Sequence, residues 1–335
     1  MSVLQAAMTG FSEHVQLRRQ GLINFIAILL GSAAAGTALP WLMFFAGPYV
    51  DALQPIYAFL GIKAPGLYVL LFPAAMIGVA VICLIAEAVG IGYRDSTLYQ
   101  VIEGQNRSVR NDLFYMFLRV SGIATLLTFI MTLGAALHID AMTALGLDYR
   151  LIANTNPVIQ FVALVLAITF CNYWTHRLLH SKYFFEIHKV HHSAEHYGVL
   201  LPFRAHPLDH YLARVYTTAS LALLGIDIKV LIAWMGINAF YQSMVHSKLD
   251  WPAWTGYLVI TPAMHRIHHS TDPRHFNKNL SILTVWDKLF GTYHPPEDVP
   301  GYGLDGVDKE NYNTGNYVGE VFMCFFRWVG FKRTG

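Results

Sequence analysis

The sequence predicts an all-α integral membrane protein: about four transmembrane helices and a helical hairpin, carrying a cytosolic cap rich in histidine. Three observations support this fold class. Hydrophobic residues fill 55% of the 335 positions and charged residues only 13%, where a soluble domain carries about 25% charge. Several apolar runs approach the roughly 20 residues that a helix needs to cross a bilayer. The 16 histidines are unevenly spread, and most fall in short clusters beyond the apolar runs.

The runs are residues 22–46, 67–92, 120–137 and 157–173. The last two reach spanning length only if their helices continue into the polar sequence beside them. No charge lies near the centre of any run, and Glu87 sits toward the end of the second. The first run follows Arg18-Arg19 and lies too far from the N-terminus for a simple signal peptide. Arg18 and Arg19, then Arg94, Arg107, Arg110 and Arg119, then Arg177, Lys182 and Lys189 fall in alternate loops, while Lys63 and Arg150 occupy the others. Basic residues favour the cytoplasmic side, so both termini and the region after the fourth run are expected there. Residues 211–245 form a further apolar stretch, interrupted at Gly225-Ile-Asp-Ile-Lys229. Histidine clusters on both sides require it to leave and return on one face, as a spanning or re-entrant hairpin turning near Gly225. The plainer alternative is a pair of cytosolic helices packed on the cap. Beyond Ser247, prolines cut the chain into short pieces. Residues 301–316 read as surface loop, and 321–329 as a short amphipathic helix at the membrane interface. The expected organisation is an N-terminal membrane region (1–156), a catalytic region (157–300) and a tail (301–335).

A net charge of +2, without a basic stripe interleaved with aromatics, excludes nucleic acid as a partner. Cys83, Cys171 and Cys324 show no pairing logic and read as free packing thiols.

Four histidine groups stand out: His176-Arg-Leu-Leu-His180, His188-Lys-Val-His191-His192, Gln242-Ser-Met-Val-His246 and His265-Arg-Ile-His268-His269. Helix positions i and i+4 share a face, so His176 and His180 point one way. Adjacent residues differ by about 100° around a helix axis, so His191-His192 and His268-His269 can serve two ions lying side by side. A lone histidine is ordinarily a hydrogen-bonded core or surface residue, and His14, His138 and His294 read so. A closed structural zinc site takes about four ligands; eight or nine imidazoles imply two ions. Imidazole suits iron, copper or zinc alike. Glu186, Glu195, Asp272 and Asp287 lack the Glu-x-x-His spacing of soluble di-iron bundles and read as outer or surface groups.

The boxes Tyr173-Trp-Thr-His-Arg-Leu-Leu-His180, Phe185-Glu-Ile-His-Lys-Val-His-His-Ser193 and Thr261-Pro-Ala-Met-His-Arg-Ile-His-His-Ser270, with Trp286-Asp-Lys-Leu-Phe-Gly-Thr-Tyr293, resemble the fatty acid hydroxylase/sterol desaturase superfamily of membrane di-iron enzymes. The resemblance covers about 157–294. It implies as metal ligands His176, His180, His188, His191, His192, His265, His268 and His269, with His246 a ninth. Some members carry another histidine where this chain has Gln242, which leaves that position for a water or an open coordination site. His206 and His210, in a His-Pro element, are candidates for extra ligands or for structural roles. Asp209 is a candidate partner for a ligand's second ring nitrogen.

The resemblance implies two iron ions, with zinc possible in the isolated protein, and O2 as co-substrate. The reaction expected is removal of hydrogen from an unactivated lipid C–H bond, giving an alcohol. Loss of a second hydrogen would instead make the chain a lipid or sterol desaturase. No haem, flavin, nicotinamide or iron–sulfur signature is present, so a separate ferredoxin, cytochrome or reductase partner is implied. The membrane is either a bacterial inner membrane or the endoplasmic reticulum. A metal-handling membrane protein is the rival of another class; transport predicts ionisable residues in mid-membrane, and these runs offer almost none.

Overall fold

The computed structural model describes residues 67–104, 106–132 and 145–330, and its regular elements are helical. The first expected span, His14 and His138 lie outside these residues. Helix α1 (Leu67–Ile91) contains the apolar stretch Ala75–Ile91. Near its C-terminal end lies Glu87, whose buried carboxylate accepts the backbone N–H groups of Thr97 (2.7 Å) and Lys248 (2.9 Å). That charge is tolerated because both of its oxygens are used. A side chain at Gly90 would collide with Leu249, so a glycine is what lets α1 approach that segment.

Ser96 caps the short α2 (Thr97–Ile102), and Asn106 caps α3 (Arg107–Val120). In α3, Val109, Leu113, Met116 and Val120 recur at helical spacing and are buried with Val199, Leu200 and Phe203. The expected span at 120–137 is not one helix. Gly122 adopts φ +82°, a left-handed conformation that closes α3, and α4 (Ile123–Met131) starts afresh after it.

Helix α5 (Pro157–Leu179) is capped by Asn156, with Pro157 in its first turn. It continues past the apolar run into Thr175–Leu179, as the length argument requires. Among the described residues it is the one helix long and apolar enough to cross a membrane. Val158, Val162 and Leu166 form an uncovered apolar stripe along it, with Val158 69% exposed. After α6 (Phe185–His192) comes the hairpin: α7 (Pro207–Leu224), a left-handed Gly225 (φ +71°) and α8 (Ile228–Val245) capped by Asp227. The turn falls where the sequence places it. On α8, Ile232, Met235, Ile237 and Phe240 are also uncovered.

The remainder is shorter: α9 (Pro262–His268), α10 (Thr284–Leu289), α11 (Gly306–Glu310) and α12 (Tyr317–Trp328). The stretch expected as a surface loop is anchored rather than loose. Asn313 is buried, accepts from the Arg204 guanidinium and donates to Ser193 O (2.9 Å). Glu320 on α12 is buried and accepts from Asn111 (2.7 Å) on α3. The tail therefore clamps α3 and the second histidine box, because its polar side chains find buried partners there. The three cysteines are free.

Candidate metal centre

Nine histidines from four helices converge. His176 sits in the last turn of α5 and His180 caps it; His188, His191 and His192 lie on α6. His246 caps α8, His265 and His268 lie on α9, and His269 caps it. They form two groups: His176, His180, His188, His192 and His268 in one, and His191, His246, His265 and His269 in the other. Within each group, one ring nitrogen per residue lies within 4.8 Å of all the rest. Each HxxHH box is thus divided, α6 giving two rings to the first group and one to the second, and α9 the reverse. Adjacent side chains about 100° apart produce that division.

Backbone carbonyls fix the tautomers. His176 Nδ1 donates to Leu280 O (2.6 Å), His191 Nδ1 to Arg204 O (3.0 Å), His246 Nδ1 to Gln242 O (2.7 Å) and His268 Nδ1 to Lys278 O (2.9 Å). A neutral imidazole that donates through one nitrogen has only a lone pair at the other. Yet His191 Nε2 and His246 Nε2 face each other at 3.4 Å. His176 and His188 Nε2 approach to 3.1 Å, His180 and His192 to 3.2 Å, and His246 and His265 to 3.0 Å. The Nε2 atoms of His268 and His269 are buried without a hydrogen-bond partner. Lone pairs converging in a buried site repel one another unless a cation lies between them. Protons do not fill that role: burial, reinforced by neighbouring imidazoles, holds His191, His192, His265, His268 and His269 well below the ordinary histidine range. A neutral all-imidazole donor set in two adjoining groups fits a pair of transition-metal ions.

The supports of these rings are themselves braced. Asp287 is buried and accepts from Leu280 N (2.8 Å), Ser281 N (2.9 Å), Ser281 Oγ (2.5 Å) and Thr292 Oγ1 (2.6 Å), fixing the carbonyl that holds His176. Arg204 is fully buried; its guanidinium meets Asp112 (3.3 Å), Ser108 (2.9 Å) and Asn313, while its carbonyl holds His191. Asn279 donates to Met264 O (2.8 Å) and His294 O (3.0 Å), pinning the loop that supplies Lys278 O. Sequence reading missed Arg204 and Asn279; their signal was only proximity to the boxes.

The other expected site residues separate by role. Asp209 Oδ2 lies 3.6 Å from His188 Nδ1, beside a ring of the first group. His206 caps α7: its Nδ1 accepts Leu208 N–H (3.2 Å) and its Nε2 donates to Val321 O (3.1 Å). Both nitrogens are occupied, and it belongs to neither group. His210 also lies outside them, with Nδ1 accepting from Arg119 (3.3 Å). Gln242 contributes its carbonyl to His246, and its side chain donates to Asn238 (3.4 Å). Glu186 pairs with Lys189 and Asp272 with Arg274. A further group, His275, His294 and Glu297, stands apart; His275 Nε2 donates to Glu297 (2.6 Å).

Residues 161–292 match the fatty acid hydroxylase family. The chain is 34% identical over 135 residues to an alkylglycerol monooxygenase of Danio rerio, covering 39% of this chain and 30% of that protein. Against the Homo sapiens alkylglycerol monooxygenase it is 31% identical over 142 residues, 42% of this chain and 32% of the relative. An ornithine lipid hydroxylase of Rhizobium tropici is 29% identical over 191 residues, covering 56% and 57%. The chain thus spans about a third of the alkylglycerol monooxygenases and somewhat over half of the ornithine lipid hydroxylase. No solved structure matches.

Proposed function

We propose that this chain, whose residues 161–292 match the fatty acid hydroxylase family, is a membrane-bound oxidoreductase that uses two iron ions and O2 to hydroxylate a C–H bond of a lipid. The observation that carries the reading is the pair of unprotonated His191 and His246 nitrogens facing each other at 3.4 Å, with both opposite nitrogens tied to carbonyls. That arrangement is built for cations. The relatives matched are named as oxygenases or hydroxylases of lipids, which turns the reading from metal handling toward oxidation.

His176, His180, His188, His192 and His268 would hold one ion, and His191, His246, His265 and His269 the other. Bound iron would activate O2 for attack on an unactivated C–H bond; the chain's residues do the rest. Carbonyls of Leu280, Arg204, Gln242 and Lys278 hold the rings in one tautomer and orientation. Burial of seven of the nine histidines, with His176 and His180 partly covered, limits the access of bulk water to the site. The uncovered apolar side chains of α5 and α8 face lipid in this reading, since such stripes are costly in water. With α1, α5 and the hairpin in the bilayer, the histidine rings lie at its cytoplasmic edge. There a lipid tail reaches them from one side and a separate ferredoxin, cytochrome or reductase delivers electrons from the other.

The test is iron content and Mössbauer spectroscopy on protein expressed with labelled iron, followed by mass spectrometry of lipids turned over in membranes. About two coupled irons per chain, and products heavier by one oxygen, are expected. Products lighter by two hydrogens would make the chain a desaturase. Less than one metal per chain in iron-supplied membranes would overturn the reading.

A further inference from the structure

Beside the metal centre lies a second polar cluster to which the chemistry above assigns no role. Arg119 ends α3, while His210, Arg214 and Tyr216 lie on α7. The Arg119 guanidinium lies 3.3 Å from His210 Nδ1. A guanidinium has no lone pair, so that nitrogen must accept, and the ring's proton sits on Nε2, a further donor. Arg214 stands one turn beyond His210 on the same face of α7, and the charges of Arg119 and Arg214 both bear on the His210 ring. The Tyr216 hydroxyl accepts from Asn172 Nδ2 (3.3 Å). Its own proton has no acceptor among the described residues, and the Arg119 charge bears on it too.

This cluster is therefore all donors. Neither Arg119 nor Arg214 has an ion-pair partner among the described residues. Asp209, next to His210 in the chain, is turned to the His206 N–H (3.2 Å) and to His188. Two guanidinium charges bear on the half-buried His210 ring, and with no acid paired to either, an anion beside them would offset that charge. Arg214 is exposed and Arg119 and His210 are half-buried, so the cluster opens outward. Its position is also telling: Asn172 lies one turn before His176 on α5, and His210 follows Asp209, the carboxylate beside His188.

We propose that Arg119, His210, Arg214 and Tyr216 bind an anionic head group, a phosphate or carboxylate, of the lipid whose chain is presented to the histidine centre. This rests on the reading of the protein as a lipid oxidoreductase, and it adds selection for charged over neutral lipids. Arginine is suited to the role because its planar fork matches both oxyanions.

The experiment uses the full iron-loaded chain in neutral detergent. Binding of short-chain phosphatidic acid, a free fatty acid and a neutral short-chain diacylglycerol is compared for the native protein and for Arg119→Gln/Arg214→Gln. The native protein should prefer one or both anionic lipids by about tenfold or more. The double variant should lose that preference with neutral-lipid binding and iron content unchanged, and Arg119→Lys/Arg214→Lys should retain most of it. Should the double variant misfold, the exposed Arg214→Gln alone carries the test, with about a threefold loss confined to anionic lipids.

Equal binding of charged and neutral lipids by the native protein, or equal losses on both, would overturn the proposal. So would displacement by inorganic phosphate at the concentrations at which the lipid binds, which would mark a free-anion site. The two readings fail differently. Charge-selective binding without lipid oxidation leaves the head-group site standing and removes the oxidase. Oxidation of charged and neutral lipids alike, indifferent to Arg119→Gln, does the reverse.

Discussion

The two histidine groups are built from the same boxes but are not equivalent. The first gathers five rings and includes two from α5, the helix with spanning character. The second gathers four, one of them from the hairpin helix α8. Gln242, one turn before His246, offers the second group only a carbonyl to a ring. If each group holds an ion as proposed, a crowded group beside a sparer one implies a division of labour: the five-ring group would retain its ion, and the four-ring group would keep positions open for exchange and for chemistry.

The largest expected effect breaks that symmetry directly. His265→Ala leaves three rings in the second group and should reduce bound metal from about two ions to about one per chain, with activity falling at least 10³-fold. His180→Ala leaves four in the first group and should keep most of both ions, with activity down about 10–100-fold. Metal analysis beside lipid turnover decides between them. Equal metal loss from the two variants would show that the groups do not differ in the way their ring counts suggest.

A smaller effect separates the supports. Asp287 reaches His176 only through the Leu280 carbonyl, and Arg204 reaches His191 through its own. Asp287→Asn places an amide donor against donors already aimed at the carboxylate, so the loop must shift. A weakening of metal retention by about 10-fold is expected, within the range for outer partners of a ligand. The loss should appear in the first group alone, as a change in one of two iron sites by Mössbauer spectroscopy. Changes at both sites would mean that the loop supports the centre as a unit.

Much of this contrast is legible in the sequence. Periodicity places i and i+4 rings on one face, and the adjacent pairs in each HxxHH point to two ions. Which ring serves which group is not legible, because it depends on how α6 and α9 face each other across non-local contacts. The hairpin was readable from Gly225, whose left-handed backbone ends α7. The break at Ser121-Gly122 is not, since both residues fall inside the apolar run that begins at Val120; a glycine there is decisive only once its φ is known. The tail misled for a related reason. Asn313 and Glu320 are polar residues typical of a surface loop, and only their partners Arg204, Ser193 and Asn111 show them to be buried. Composition reports the average environment of a residue type, whereas a hydrogen-bonded exception needs its partner in view.

His206 sharpens the distinction between a buried ligand and a buried structural histidine, with the smallest expected effect. Like seven of the nine ligand rings it is buried, but both its nitrogens are occupied: Nδ1 caps α7 and Nε2 donates to Val321 O on the tail helix. Burial lowers its pKa from the ordinary 6.5 to about 4. A histidine lowered in the folded state contributes its full stability above its unfolded pKa, near 6.5, and loses it as pH falls toward 4. Protonation adds a hydrogen at Nδ1, where the cap needs a lone pair. His206→Asn keeps a capping oxygen but cannot reach Val321, so it should cost about 1 kcal/mol near pH 7.5. The native and variant stabilities, measured by denaturant titration in detergent, should converge between pH 6.5 and 4. Acid release of any metal held by the nine rings would be common to both proteins and would cancel in the difference. A gap that stays constant across that range would mean that His206 does not titrate there, and one that widens would reverse the sign of its contribution.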